Sequence, residues 1–131
     1  MVVLKGVPAL LSPELLYALA RMGHGDEIGL GIPRLLEAVL KLLPLDTYVE
    51  SPAAVMELVA SDRARGLQTP VWKDYEALLA RADCTKTLEK IERFAFYERA
   101  KKAFAVVATG ETALYGNLIL KKGVLAPDTP Q

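Results

Sequence analysis

Apolar residues at helical spacing predict three helices. The first begins at Ser12-Pro13, where serine can cap free amides and proline suits the first turn, and it ends before Gly23. The second covers residues 33–43 and the third opens at Thr69-Pro70. Each carries one apolar face: Leu15, Leu16, Leu19 and Ala20; then Leu35, Leu36, Val39, Leu40 and Leu43; then Trp72, Tyr75, Leu78, Leu79 and Ala82.

Short apolar runs between the helices predict strands. Four runs have the length of buried strands: residues 53–59, 88–93, 104–108 and 117–121. We expect a charged surface loop at residues 61–66, a short helix at 96–101 and a loose tail at 127–131. Because helices alternating with buried strands are typical of α/β domains, we predict a single domain over residues 1–131. Its sheet should be mixed or largely parallel and flanked by helices.

The charge balance narrows the possible partners. The 131 residues include 16 lysines and arginines against 16 aspartates and glutamates, so the net charge is zero. Nucleic-acid binders and polybasic membrane-surface proteins carry a strongly basic face, so neither partner is expected. Hydrophobic residues make up 52% of the chain, too many for intrinsic disorder. We expect part of this apolar surplus to cover a contact between copies of the chain.

Neither a membrane span nor a metal site is predicted. The longest run without a charged residue, residues 112–120, is far shorter than the ~20 residues that a membrane helix needs. One cysteine and one histidine give neither a disulfide framework nor a zinc cluster. Cys84 has no base nearby in the sequence, which favours a structural or exposed thiol over a nucleophile. These features predict a soluble, cytosolic protein.

The first candidate for chemistry is the segment Gly23-His24-Gly25-Asp26-Glu27. Two glycines around the single histidine allow unusual backbone angles and close approach of a ligand, and histidine exchanges protons near neutral pH. His24 could therefore be a general acid or base. The alternative, a surface turn with an incidental histidine, is about equally favoured by the spacing alone. A dinucleotide fingerprint fits poorly, because Ile28 stands where its third glycine belongs.

Two further segments carry polar and aromatic side chains. Residues 93–102 interleave basic residues with aromatics, and we favour an amphipathic helix with its aromatics in the core over nucleic-acid binding. A third interpretation is that Arg93 and Tyr97 donate hydrogen bonds to a small polar ligand. In the segment from Thr109 to Thr112 and in Tyr115-Gly116-Asn117, a hydroxyl and an amide could face a ligand, although each segment alone is an ordinary turn.

The order of these motifs resembles a known family. The chain carries, in sequence, Arg21-Met22-Gly23-His24-Gly25-Asp26-Glu27-Ile28, Leu45-Asp46-Thr47-Tyr48, Arg93-Phe94-Ala95-Phe96-Tyr97-Glu98-Arg99-Ala100, Thr109-Gly110-Glu111 and Tyr115-Gly116-Asn117-Leu118-Ile119-Leu120-Lys121-Lys122-Gly123. Each motif is weak, but five in order are specific. The chain looks like the family of sugar mutarotases that contains ribose pyranase and L-fucose mutarotase. The resemblance covers nearly the whole chain and is strongest to the fucose branch in its animal form.

The resemblance implies a fold, a reaction and a site. It implies an α/β fold and interconversion of the α- and β-anomers of L-fucose, or of a related monosaccharide, by general acid and base groups without cofactor or metal. It also implies a homo-oligomer with sites at subunit boundaries. By the same resemblance His24 is the proton donor, and the sugar contacts fall on Asp46, Arg93, Tyr97, Tyr115 and Asn117.

One departure from the family pattern follows Ile28. The family continues there into a strand, a sugar-binding aspartate, a loop and a further strand before the next helix, whereas here Ile28 passes directly to Gly29-Leu30-Gly31-Ile32-Pro33. We expect this internal deletion to remove the aspartate and sheet pairing beside His24. It motivates an alternative function: a non-catalytic variant that keeps the oligomerisation surface but lacks a complete sugar pocket.

Overall fold

The computed structural model describes residues 4–82, 84, 88–109 and 112–125, and within them an α/β fold. The predicted tail at 127–131 lies outside these residues. The elements in chain order are α1 (Pro13–Arg21), β1 (Glu27–Leu30), α2 (Pro33–Leu40), β2 (Ala53–Met56), α3 (Ala60–Ala64), α4 (Val71–Arg81), β3 (Glu89–Ile91), α5 (Arg93–Lys102), β4 (Ala105–Val106) and β5 (Leu118–Lys121). As predicted, Ser12 caps α1, because its hydroxyl accepts a hydrogen bond from the Leu15 amide at 3.1 Å.

The five strands form one mixed sheet in the order β3-β2-β5-β1-β4. β5 is antiparallel to both of its neighbours, whereas β1 is parallel to β4 and β2 is parallel to β3. β1 to β4 therefore all point in one direction. The predicted mixed sheet is confirmed, and its single antiparallel strand decides which loops meet at each edge.

The core lies between the sheet and the apolar faces of α1, α2 and α4. Buried side chains from the centre of the sheet include Ile28, Val55 and Leu120, all essentially inaccessible to solvent. Tyr75 from α4 is also fully buried and brings its hydroxyl into the fold. Within the described residues, no helix is long and apolar enough to cross a membrane.

Two elements of the structure were not predicted from the sequence. The predicted loop at 61–66 contains the short helix α3, because Asp62 and Arg65 pair across one helical turn (3.0 Å) in a segment without helix-breaking residues before Gly66. β1 was not predicted, because a strand of four residues that includes Gly29 has little strand propensity. Its partners on both sides make it a strand.

The expected loss of sheet pairing beside His24 is wrong. β1 pairs with β5 from Glu27↔Lys121 to Leu30↔Leu118, and on its other side Ile28 and Gly29 pair with β4. Gly29 and Leu30 simply continue the strand in register, and α2 begins three residues later. The short connection leaves Ile32 with φ 66°, a conformation that strains a β-branched residue.

Candidate active site

His24 lies in a tight loop between α1 and β1. Gly25 has a left-handed backbone (φ 87°), which side-chain-bearing residues rarely adopt. The Gly23 amide donates to the Asp26 carboxylate at 2.7 Å, and the Asp26 amide donates back to the Gly23 carbonyl at 3.1 Å. The loop is thus closed on itself and presents a His24 side chain that is 44% exposed.

The imidazole of His24 faces the carboxylate of Asp46. His24 Nε2 lies 3.2 Å from Asp46 Oδ1, and the Tyr48 amide donates to the same oxygen at 3.0 Å. The Tyr48 ring stands 5.5 Å from the His24 ring. Asp46 is only 4% exposed and is the one buried charged residue in the described part of the chain. A buried carboxylate in this position orients the imidazole.

Hydrogen bonds and charge keep Asp46 ionised. Burial by itself raises the pKa of Asp46, but the Tyr48 amide, the hydrogen bond and charge of His24 and the charge of Lys121 outweigh it, so this pKa lies below its ordinary value of 3.8. With Nε2 on the carboxylate, Nδ1 is the ring nitrogen left for exchange with a ligand. His24 also borders an open, mainly apolar cavity of about 630 Å³, a size usual for small-molecule sites.

Residues 121–123, which we call the β5 clasp, connect the loops of His24 and Asp46. Carbonyls of the clasp accept hydrogen bonds from the amides of Gly25 (2.8 Å) and Asp46 (3.0 Å), and the Gly123 amide donates to the Pro44 carbonyl at 2.8 Å. A Cβ at Gly123 would lie 2.4 Å from a backbone carbonyl oxygen, so this approach requires glycine.

Tyr115 is held at several points in a strained conformation. Its φ of 58° is left-handed. The indole of Trp72 donates to the Tyr115 carbonyl at 2.9 Å, and the hydroxyl of Tyr75 donates to the next carbonyl, that of Gly116. The Tyr115 hydroxyl donates to Asp62 at 2.5 Å. The surrounding fold therefore fixes both the backbone and the side chain of Tyr115.

The remaining predicted contacts are exposed. Arg93 and Tyr97 are four residues apart on α5 and so share a helix face, where the Arg93 guanidinium lies 4.6 Å from the Phe94 ring centroid. Asn117 is exposed directly before β5. Side chains of these types can donate to and accept from sugar hydroxyls.

The predicted site residues fall into two groups at opposite edges of the sheet. His24 and Asp46 precede parallel strands and meet the end of β5, and with Tyr48 they form what we call the His24 group. Arg93 follows β3, and Tyr115 and Asn117 precede β5; these three form the Tyr115 group. From Asn117 to Lys122 the chain rises about 17 Å, at ~3.3 Å per strand residue. This distance exceeds the size of a monosaccharide, so one chain does not bring the two groups onto one sugar.

One prediction about individual residues needs correction, and another falls on residues that the structure does not describe. The α5 aromatics are not all in the core: Phe96 is buried, but Phe94 and Tyr97 are exposed, because only one face of the helix meets the sheet. Gly110 and Glu111 lie outside the described residues. Cys84 is half-buried against the core, in keeping with a structural thiol.

Sequence reasoning missed Asp62, the partner of Tyr115. It lies 53 residues away in a segment that looked like solvated charge, so no local pattern marks it. Asp62 also forms an ion pair with Arg65, which belongs to the same charged run. Among the described residues, no group of three or more histidine, cysteine, aspartate or glutamate side chains is arranged to hold a metal ion.

Comparison with known proteins gives consistent matches. Residues 29–125 match the model of the RbsD / FucU transport protein family. Fucose mutarotase of Homo sapiens is 73% identical, over 96% of this chain and 97% of the human protein. That alignment spans 149 positions, more than the 131 residues of this chain, so the human protein has positions that the chain lacks.

Solved structures agree with the sequence matches. The fucose mutarotase of Streptococcus pneumoniae, solved in complex with L-fucose, has a TM-score of 0.85 and 40% identity over 94% of this chain and all of its own. FucU from Bifidobacterium longum has a TM-score of 0.84, also at 40% identity, over 93% of this chain and all of its own. Both matches extend over more than nine tenths of this chain.

Proposed function

The chain belongs to the RbsD / FucU family, and from that membership we propose that it is a mutarotase that interconverts the α- and β-anomers of L-fucose. Two relatives that are 73% and 68% identical to this chain are named fucose mutarotase, and the Streptococcus relative binds L-fucose in its crystal structure. The activity is that of a cofactor-independent isomerase acting on a neutral sugar. An uncharged substrate suits a chain without net charge, since no electrostatic steering is required.

The His24 group supplies proton exchange. Mutarotation opens a hemiacetal ring and closes it on the other face, so a proton leaves the anomeric hydroxyl and another reaches the ring oxygen. A positioned acid or base typically contributes ~10²–10⁴-fold to such a step. The ionised Asp46 holds Nε2 so that Nδ1 of His24 faces the sugar. Nδ1 takes up the proton that leaves the anomeric hydroxyl, and His24 then acts as the proton donor to the ring oxygen. Asp46 also offers a carboxylate oxygen to a sugar hydroxyl.

The Tyr115 group supplies hydrogen bonds, and a second copy of the chain brings it to the His24 group. Arg93, Tyr115 and Asn117, with Tyr97 one turn further along α5, present donors and acceptors that suit sugar hydroxyls. Because the two groups lie at opposite edges of one sheet, each complete site combines the His24 group of one copy with the Tyr115 group of another. Exposed large apolar side chains near both groups, among them Tyr48, Leu114 and Val124, suit such a contact.

We place the positions that this chain lacks between Ile28 and Gly29. The family model begins to match at residue 29, and the human alignment is longer than the chain. The non-catalytic alternative, which rests on this deletion, is not favoured, because β1 keeps its partners and the His24–Asp46 pair is assembled. The proposed place of action is the cytosol.

The single observation that carries the proposal is the only histidine of the chain, held against a buried carboxylate in a chain with mutarotase relatives. The test is saturation-transfer NMR on the two anomeric proton signals of L-fucose. We expect the wild-type chain to accelerate exchange between them and His24→Ala to lose most of that acceleration, about 10²-fold or more.

A matched pair of carboxylate variants sharpens the test. Asp46→Asn should slow exchange because the imidazole loses its ionised partner, whereas Asp74→Asn, which changes an exposed aspartate on α4, should leave the rate unchanged. Folded wild-type protein without acceleration would overturn the proposal. An unchanged rate in His24→Ala would remove the role of His24 and leave the activity unexplained by this site.

A further inference from the structure

Among the described residues, the hydrogen bonds of the Tyr115 hydroxyl are made with α3 and with the residue before it. The hydroxyl donates to Asp62 Oδ2 at 2.5 Å and accepts from the Val59 amide at 3.3 Å. The other oxygen of Asp62 is held by Arg65, at 3.0 Å to its terminal nitrogen and 3.1 Å to its Nε. The carboxylate is therefore fixed on both oxygens, and its orientation fixes that of the phenol.

These contacts leave the Tyr115 oxygen with one lone pair that has no partner among the described residues. A phenol has one proton to donate and two lone pairs that accept. The proton goes to Asp62 and one lone pair receives the Val59 amide, so one lone pair remains. In this arrangement Tyr115 can accept a hydrogen bond from a ligand hydroxyl, and it cannot donate one without giving up Asp62.

We propose that Asp62 is a positioning residue of the sugar site, which holds the Tyr115 hydroxyl as an acceptor for a hydroxyl group of the sugar. This inference rests on the proposed function and adds to it a residue outside the motifs that mark the family. A neutral polyol is the ligand class that this geometry favours, because a sugar hydroxyl can donate into the free lone pair and an anion cannot.

The strain at Tyr115 supports a role beyond packing. A left-handed backbone at a bulky residue persists only where the surroundings over-determine it, and such strain is concentrated at functional sites. Trp72 and Tyr75 hold the two adjacent carbonyls while Asp62 holds the side chain. If Asp62 only anchored α3 to this loop, its loss would change stability and leave the behaviour of bound sugar unaltered.

The test compares Asp62→Asn with Tyr115→Phe, the double variant and Asp74→Asn as an exposed control. We expect kcat/KM for anomer exchange to fall about tenfold to a hundredfold in each single variant, the range for losing one hydrogen bond to a charged group. The double variant should fall no further, because both changes remove one interaction. Asp74→Asn should match the wild-type chain.

A spectroscopic readout is independent of activity. The hydrogen bond to Asp62 raises the pKa of Tyr115, assisted by burial and by the Asp62 charge, while the Val59 amide and the Arg65 charge lower it. In a tyrosinate absorbance titration, Asp62→Asn should move one tyrosine of the five to lower pH, and Tyr115→Phe should remove that tyrosine from the curve.

The outcomes separate the inference from the proposed function. Wild-type protein that does not exchange the anomers overturns the proposed function and the inference with it. An active wild type whose rate is unaffected by Asp62→Asn, or whose double variant falls by the product of the single effects, overturns the inference alone. If Asp62→Asn does not fold, Tyr115→Phe, which keeps the ring, decides: an unchanged rate overturns the inference, and a loss of about tenfold to a hundredfold supports it.

Discussion

At the residue scale, Asp46 should make stability depend on pH. Its folded-state pKa is lowered, so its contribution is present above the unfolded value of ~3.9 and is lost as pH falls through the folded value. We expect Asp46→Asn to cost about 1–3 kcal/mol at pH 7, because a buried hydrogen-bonded group is replaced by one that fits its donors less well.

Thermal melting between pH 7 and pH 2 measures this effect. The wild type should lose stability more steeply than Asp46→Asn below about pH 4, so that the two melting curves converge in acid. Asp74→Asn, at an exposed position, should follow the wild type throughout. Parallel loss in all three proteins would show that Asp46 does not supply the acid sensitivity.

The local sequence pattern identifies some of the site residues and misses others. His24 was found because two glycines flank it and because histidine exchanges protons near neutral pH, although the spacing alone left an incidental surface histidine about equally favoured. Asp46 was found only through the order of the motifs, whereas Asn117 was already a candidate because its amide could face a ligand. Asp62 acts through Tyr115, far along the chain, and its neighbours are charged, so its segment looks like ordinary solvent-exposed surface. Pairing across the fold, rather than local pattern, gives Asp62 its role.

At the element scale, the β5 clasp should control the geometry of the His24 group. Gly123→Ala places a Cβ 2.4 Å from a backbone carbonyl oxygen, which forces the Asp46 loop to move. We expect a loss of about 1–3 kcal/mol in stability from overpacking. Anomer exchange should slow by about 10²-fold, the effect of a displacement near 1 Å in a catalytic group.

Gly29→Ala is the matched control for the clasp. Gly29 is also buried next to the site, but a Cβ there would meet only the Val106 side chain, at an ordinary 3.6 Å. Calorimetry and anomer exchange should both remain near wild type. If both alanine variants lost stability and activity equally, the loss would come from replacing a buried glycine in general and not from the clasp.

The connection between β1 and α2 stores strain at Ile32. Removing the Cβ should relieve it, so we expect Ile32→Gly to be more stable than Ile32→Ala by about 1–3 kcal/mol, although both lose the side chain. Val59 is the matched position, since it also precedes a helix without a side-chain cap but has φ −68°.

Chemical denaturation of the four variants gives the comparison. At Val59 the free energy of unfolding of the glycine variant should exceed that of the alanine variant by less than it does at Ile32. Only the ordinary preference for glycine over alanine at a helix cap acts at Val59. A gap at Ile32 no larger than that at Val59 would show that the backbone has relaxed. The pattern of helices was predictable from spacing, whereas this strand–helix junction was not, since neither β1 nor the strain has a local signal in Gly29-Leu30-Gly31.

At the scale of the whole molecule, the mixed sheet topology is the basis of our proposal that a site combines two copies of the chain. The antiparallel β5 joins the His24 group at its end to the Tyr115 group at its start. The sequence predicted the mixed sheet and the resemblance implied sites between subunits. Without strand order, however, nothing in the sequence could place the two groups at opposite edges.

This separation predicts complementation between two inactive variants. His24→Ala keeps its Tyr115 group and Tyr115→Phe keeps its His24 group, so a mixed assembly contains sites in which both groups are intact. If copies mix at random after joint unfolding and refolding, a 1:1 mixture should recover about a quarter of the wild-type exchange rate per chain, because each intact site draws one suitable copy from each side. Each variant refolded alone should stay slow, and so should the two refolded separately and then combined.

Light scattering on the same samples gives the size of the assembly. Activity that does not return in a jointly refolded mixture of wild-type size would show that both groups act within one chain, against the separation of about 17 Å along β5.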